Sequence, residues 1–387
     1  MAVLFPFFPD WSSAPTIDRE FTTEIITSRN YREQRIAGRV WPRRAMSFEV
    51  TNLRDDPAFR AFMAKNHQGV FRLADWTRSV RLTAPAAAAA TALTVAEVPD
   101  WAQAGLWALL RVGKAYREVE IDSVDVGTIN LVDPLPEAWA EGVRLYHLAE
   151  GTLDQNLRGR LQTAFAGSST ITFVVNPGVY QEDEGEAPLT FNGRELFITR
   201  SDWSAPLSAE LVGLLETTDF GRGVVEHFSA VNFNVRHQQL SFVRDAAGAE
   251  AFRQFFQRMR GQRGEFYAPT WQADFDLSTG AAGGQNILMV PGRSLVDNYG
   301  GSTVYKAAIF FFRDGTYQAN RITGITLQSG NSRVAFASNF VGAVNVNTVK
   351  LASFLPVWRF AVDSVTTRWE TADAARWQAT VRTLEDL

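Results

Sequence analysis

The sequence predicts a mainly-β protein made of two tandem homologous modules, each a β-sandwich with one helix and an inserted small β-barrel. Three observations lead there. Phe197 to Pro206 (FITRSDWSAP) nearly repeats Phe5 to Pro15 (FPFFPDWSSAP), and 203 minus 11 sets the two Asp-Trp pairs 192 residues apart. Later landmarks recur at similar spacing: Glu24 with Glu216 at 192, Glu33 with Glu226 and Phe59 with Phe252 at 193, Phe48 with Phe242 at 194, and Phe71 with Phe266 and Trp76 with Trp271 at 195. A long fixed period marks a repeated structural unit, and slow drift is what short loop insertions leave. Finally, each half carries a run of short β-branched segments separated by turns, the pattern of a small barrel or sandwich.

Length and composition agree with this reading. A chain of 387 residues exceeds what one core usually organises, and two modules of roughly 190 residues fit the usual domain size. With 46% apolar and 21% charged residues, each half has the material for a full core. The absence of cysteine removes disulfides and thiolate chemistry, and fits assembly in a reducing cytoplasm. No apolar run reaches 18 residues, and the N-terminal MAVLFPFFPDW lacks a basic start, so neither a membrane span nor a signal peptide is expected. A net charge of -4 argues against a general nucleic-acid binder.

In chain order, module one is expected over residues 1–180, with its barrel at about 91–148. Phe21 to Ser28 and Met46 to Val50 read as strands by their alternating, β-branched content. Asp55 and Asp56 before Pro57 start a helix whose buried stripe is Phe59, Phe62 and Met63, with Gly69 after it. Val70 to Trp76 returns as a strand. Barrel strands follow at Thr91 to Val95, Leu106 to Val112, Tyr116 to Val124, Thr128 to Val132 and Val143 to Leu148. Ala86 to Ala90 is too short a run to nucleate a helix and is expected as loop. Leu161 to Phe165 and Thr170 to Val175 close the module. Asn176, Pro177 and Gly178 break the chain, and the aperiodic acidic stretch 181–186 reads as a linker.

Module two is expected over 187–387, with its barrel at about 286–355. Asn192-Gly193 supplies the positive φ angles of a two-residue hairpin turn. Asn232, Asn234 and Arg236 alternate with Val231, Phe233 and Val235, the period of a strand with one wet face. Asp245 is placed to cap a helix with a stripe of Phe252, Phe255, Phe256 and Met259, ended by Gly261 or Gly264. Glu265 to Trp271 is the returning strand. Barrel strands are expected at Asn286 to Val290, Val304 to Phe312, Tyr317 to Leu327, Arg333 to Ala337 and Val349 to Leu355, and the closing pair at Val365 to Glu370 and Trp377 to Thr383.

Candidate chemistry is sparse. His67, His147, His227 and His237 show no metal-ligand spacing, and there is no nucleophile elbow, Walker loop or dinucleotide fingerprint. Glu118, Glu120 and Asp122 share one strand face, the usual look of a solvated sheet surface, and unit two carries Asn320, Thr323 and Thr326 instead. Glu182, Asp183, Glu184 and Glu186 read as solvated linker. Neither enzymatic activity nor a cofactor is expected. Trp11, Phe71, Trp76, Trp203, Phe266 and Trp271 are landmarks of the duplicated core, and Arg35, Arg43 and Arg44, with acids near them in the sequence, are candidate interface residues.

The order Thr23-Glu24, Glu33-Gln34-Arg35, Pro42-Arg43-Arg44, an aromatic helix, Gly69, then Phe71-Arg72-Leu73-Ala74-Asp75-Trp76 resembles the N-terminal module of distal tail proteins of long-tailed phages and gene transfer agents. Arg359 to Val365, through Trp369, looks like the closing hairpin of such proteins. The second unit keeps Glu226 without a following Gln-Arg, and has Thr270 where Asp75 stands in the first. The resemblance implies a β-sandwich ring in the virion, at the tail tip. There it would join the tail tube protein to the baseplate hub and tape-measure proteins and leave a channel for DNA, with assembly in the host cytoplasm and no membrane or specific nucleic-acid partner. Two related modules per chain let three chains present six similar surfaces, so a trimer with pseudo-sixfold character is expected, with a hexamer as the alternative. A receptor- or carbohydrate-binding adhesin is the rival reading, in which the tryptophans would be exposed platforms.

Overall fold

Alternation of apolar and polar residues decides most of the structure. Strand Ala374–Leu384 buries Ala375, Trp377, Ala379 and Val381 and turns the intervening positions outward. The chain is mainly β, with 49% of residues in strands and 9% in helices. The computed structural model describes residues 2–386 except 29–30, 53–55, 155–156, 164–165, 177–182, 204–205, 214–215, 224, 230 and 232. Asp55, Phe165, Pro177, Gly178, Glu182 and Asn232 therefore lie outside the described residues.

The helices follow their stripes. Helix Asp56–Asn66 buries Phe59 and Met63, and helix Ala246–Met259 buries Phe252, Phe255, Phe256 and Met259. The second begins at Asp245, whose Oδ1 accepts a 2.9 Å hydrogen bond from the Gly248 N–H. It ends one residue before the glycine expected to stop it: Arg260 takes the left-handed conformation and its N–H donates to the carbonyls of Phe256 and Gln257. A 3-10 turn, Gly261–Arg263, follows. A further short helix, Ser294–Tyr299, lies in the second insert, so the second half has more than the one helix expected.

Several strands differ from expectation. The strand placed at 231–236 runs instead over Val235–Asp245. The strand expected to start at Leu161 is Arg158–Leu161. The returning strand of the second half is only Phe266–Tyr267; Pro269 just beyond it has no N–H to donate, and Trp271 sits at φ 58°. The hairpin at Asn192-Gly193 forms as expected, with φ 52° and 81°. Ala86 to Ala90 is loop, fixed by reciprocal Ala86–Trp139 backbone hydrogen bonds.

The inserts have separate cores. In the first, strands Ala92–Thr94, Trp107–Val112, Ala115–Asp125, Thr128–Leu131 and Arg144–Leu153 pair in a circuit that a Leu82–Val95 bridge closes against strand Val70–Arg81, around Trp101, Leu110 and Ile129. In the second, strands Ile287–Val290, Asn331–Phe336, Tyr317–Gln328, Ala307–Phe312 and Val349–Phe354 form a five-stranded sheet in that order, around Phe310, Phe336 and Phe354. Its first and last strands do not pair with each other among the described residues.

Outside the inserts, the halves repeat the same hydrogen bonds. Val3 pairs in parallel with Phe71, and Glu195, 192 residues on, pairs in parallel with Phe266. Asp10 N donates to Glu49 O at 2.6 Å, and Asp202 N to Ser241 O at 2.7 Å. Glu24 faces Ile36 in one hairpin and Glu216 faces Phe228 in the other. Further on the offset grows: Thr152 pairs with Val174, and Arg359 with Arg382; Gly159 pairs with Ser169, and Thr367 with Trp377. This register corrects two of the sequence matches. Glu49 and Ser241 correspond, so the counterpart of Phe48 is Leu240, while Phe242 stands where Val50 does. The hairpin register likewise makes Val225, rather than Glu226, the counterpart of Glu33.

One sheet and one core then join the halves. Strand Thr16–Glu20 pairs with Arg43–Asn52 on one edge and with Ser364–Thr371 of the second half on the other. Phe5, Ile17, Phe21, Phe48, Phe71 and Phe173 share a continuous buried cluster with Phe242, Phe256, Phe360, Trp369 and Trp377.

Candidate assembly interface

The joint between the halves is built by a short arm of the first half, strand Thr16–Glu20 and hairpin Thr23–Thr27 with Glu33–Ala37, laid on the second half. Ile17 and Arg19 point inward from the arm strand, opposite Thr367 and Val365. Trp369 N donates to Pro15 O at 2.8 Å, and Phe21 N to Asp363 O at 2.9 Å. Past the strand, Thr23 gives both its N–H and its hydroxyl to the Asp363 carboxylate, at 2.6 and 2.8 Å, and Gln262 N–H adds a third bond at 2.8 Å. Gly261 is required here: its φ is +64°, and a Cβ would stand 2.4 Å from Asp363 Oδ1. The Phe21 ring meets Phe256 at 5.6 Å.

A buried ion cluster locks the hairpin. Arg359, 3% exposed, binds Glu33 with both arms of its guanidinium, Nε to Oε2 at 2.8 Å and Nη2 to Oε1 at 3.0 Å. Arg382 Nη1 approaches the same carboxylate at 3.2 Å. The Glu33 carboxyl is set by burial, which alone would raise it, opposed by the Arg359 hydrogen bond and the charges of Arg359, Arg382 and Arg35; the result lies below the ordinary glutamate value. Arg35 pairs with Glu265 and donates from Nη1 to Arg263 O at 3.0 Å. A desolvated cluster of this kind is costly unless every charge is met, which makes it selective for its partner surface.

The candidate interface residues separate in space. Arg35 lies in this joint, Arg44 is buried 3.8 Å from Asp75, and Arg43 is exposed on the other side of the same strand. Among the core landmarks, Phe71, Trp76, Phe266 and Trp271 are buried, Trp11 is partly buried against the shared core, and Trp203 is 47% exposed. The acidic stretch is less free than a solvated linker: the carbonyls of Asp183 and Glu184 accept from Arg253 and Arg258 on helix Ala246–Met259. Glu118 pairs with Arg72 at 2.8 Å. His147 is buried beside Trp101, His227 hydrogen-bonds Thr217, and burial followed by the Arg382 charge lowers the His237 imidazole. No cluster of three metal-ligating side chains occurs among the described residues.

The hairpin's importance was hard to see in the sequence because Glu33, Gln34 and Arg35 give it no apolar face. The signal available was the charge complement in Arg359 and Arg382, distant in sequence but opposite one another across a strand pair. No family model matches the chain, and no curated protein matches it.

Proposed function

We propose that this chain is a structural protein of a phage tail tip, forming a ring that connects the tail tube to the baseplate hub and leaves a channel for DNA. The observation that carries the reading is the head-to-tail joint: an arm of one repeat adds a strand to the next repeat, the contact from which rings of repeated units are made. The order of motifs resembling distal tail proteins supports the same role, with the tail tube, hub and tape-measure proteins as neighbours. Three chains would then supply six similar repeats around a threefold axis, and a hexamer is the alternative. Mass photometry of the native assembly tests this, with three chains of 43.0 kDa expected per ring; a chain that stays monomeric at tens of micromolar overturns it. Averaged images of the particle test the position at the tail tip. The second reading, a glycan- or receptor-binding adhesin, is favoured by one observation, exposed Trp203. Glycan binding that is lost in Trp203→Ala would move the assignment to it.

A further inference from the structure

Among the described strands, the repeat leaves one arm strand with an unpaired edge and one receiving strand with an unpaired edge. Strand Ala209–Val212 is the counterpart of Thr16–Glu20: Ala209 pairs with Gln238 as Ile17 pairs with Met46. Among the described strands its other edge is unpaired, and Leu211 is 69% exposed where the corresponding Arg19 is buried. The hairpin beyond it, Glu216–Asp219 with Val225–Phe228, has every strand residue exposed. At the opposite end, strand Arg158–Leu161 is the counterpart of Ser364–Thr371. It pairs only with Gly167–Val175 among the described strands. Leu161 is 64% exposed where Trp369 is 7%, and with Leu157, Phe59 and Met63 it lines an apolar cleft of about 400 Å³.

The chemistry of the two vacant surfaces matches. In the occupied joint, Glu33 meets Arg359 and Arg382. By the repeat register, the vacant arm has Val225 in place of Glu33, and the vacant surface has Thr152 and Val174 in place of the two arginines. At the position of Glu33 the arm is neutral, and so are both positions of the arginines on the surface. Arg35 facing Glu265 becomes His227 facing Val70, and Val70 is 40% exposed.

We propose that the second arm docks on the first half of another copy of this chain, adding an antiparallel strand to the free edge of Arg158–Leu161. The internal joint fixes the register. Ile17 opposite Thr367 and Arg19 opposite Val365 become Ala209 opposite Gly159 and Leu211 opposite Leu157. Unpaired strand edges are templates for such addition, and side chains on one face supply the specificity. The contact is heterologous, so each copy gives one arm and receives one. This deepens the ring reading, and rests on it only for the expectation that the contacts close on themselves.

The chain has no cysteine, so an engineered pair reports the register without background. In the full-length double variant Leu157→Cys with Leu211→Cys, oxidation is expected to give a ladder of linked chains, while either single variant stops at dimers. A double variant that yields no more cross-linking than the singles overturns the register. Leu211→Asp and Leu161→Asp, both at exposed positions, are each expected to lose the higher oligomer while keeping the native circular dichroism spectrum. Mixed, they should form a dimer of twice the chain mass, through the one intact pairing left. Oligomers unaffected by either aspartate, or no dimer on mixing, overturn the contact. Cross-linking reads the contact on purified chains whatever particle they come from, so a failure of the tail-tip assignment leaves it standing, and its own failure leaves that assignment to particle imaging.

Discussion

The two hairpins share one register and have opposite surroundings. In the first, the Glu33 side chain is 5% exposed and held by two arginines; in the second, Val225 at the same register position is 45% exposed. The receiving surfaces divide the same way: Trp369 closes one, and the smaller Leu161 leaves the other open. Once duplicated, a module needs its internal joint to differ from its external one, or the two arms would compete for both surfaces. A buried charge cluster on one side and a neutral apolar match on the other achieve this, because placing Glu33 on Thr152 and Val174, or Val225 between Arg359 and Arg382, strands a desolvated charge.

The largest expected effect that tests this contrast is a paired truncation. Trp369→Ala removes a large side chain from the shared core and should destabilise the chain by about 4 kcal/mol, whereas Leu161→Ala at the corresponding exposed position should change monomer stability by less than about 0.5 kcal/mol. Denaturant midpoints measured under dilute, monomeric conditions check both. Comparable losses would mean that the two surfaces are not open and closed versions of one joint.

Removing the arginine comes next. Arg359→Ala removes the bidentate partner of the Glu33 carboxylate and leaves it buried with the more distant Arg382 and Arg35, and breaking a buried pair in this way costs about 3 kcal/mol. Thr152→Ala, at the neutral counterpart, should stay within about 0.5 kcal/mol. Thermal unfolding compares them. The contrast sharpens if Glu33→Gln with Arg359→Met recovers part of the loss, since the penalty then belongs to the unpaired charge.

Much of this fold was legible because burial on one sheet face writes itself as alternation. The strands of both inserts fall close to where the pattern put them, and the Phe252, Phe255, Phe256 and Met259 stripe gave its helix directly. The repeat was legible as a period, but aromatic identity misaligned it: Phe48 and Phe242 look alike, while the backbone register matches Phe48 to Leu240. Alternation does not reveal the arm strand Thr16–Glu20 or the strand Glu33–Ala37. Arg19 and Glu33 are buried there by partners far along the chain, so hydropathy reads them as surface. The closed joint was hidden by its charges, and the open surface by its likeness to an ordinary exposed strand.

The smallest effect expected is also the most specific to the closed joint. Arg359, Arg382 and Arg35 hold the Glu33 carboxyl below its unfolded value of about 4.5, so the folded chain resists protonation there more than the unfolded chain does. Stability from this group is therefore complete above the unfolded value and is lost as pH falls through the lower folded one. Other carboxylates titrate in the same range, so the quantity to measure is the stability difference between the wild type and Glu33→Gln, by urea unfolding from pH 7 down to pH 3. That difference should be constant at neutral pH and shrink below about 4.5. Val225 has no proton to take up, so this acid step belongs to the closed joint and has no counterpart at the same position of the second hairpin. A difference that stays flat to pH 3 would show that the charge cluster does not hold the joint, and the contrast between the two hairpins would then rest on packing alone.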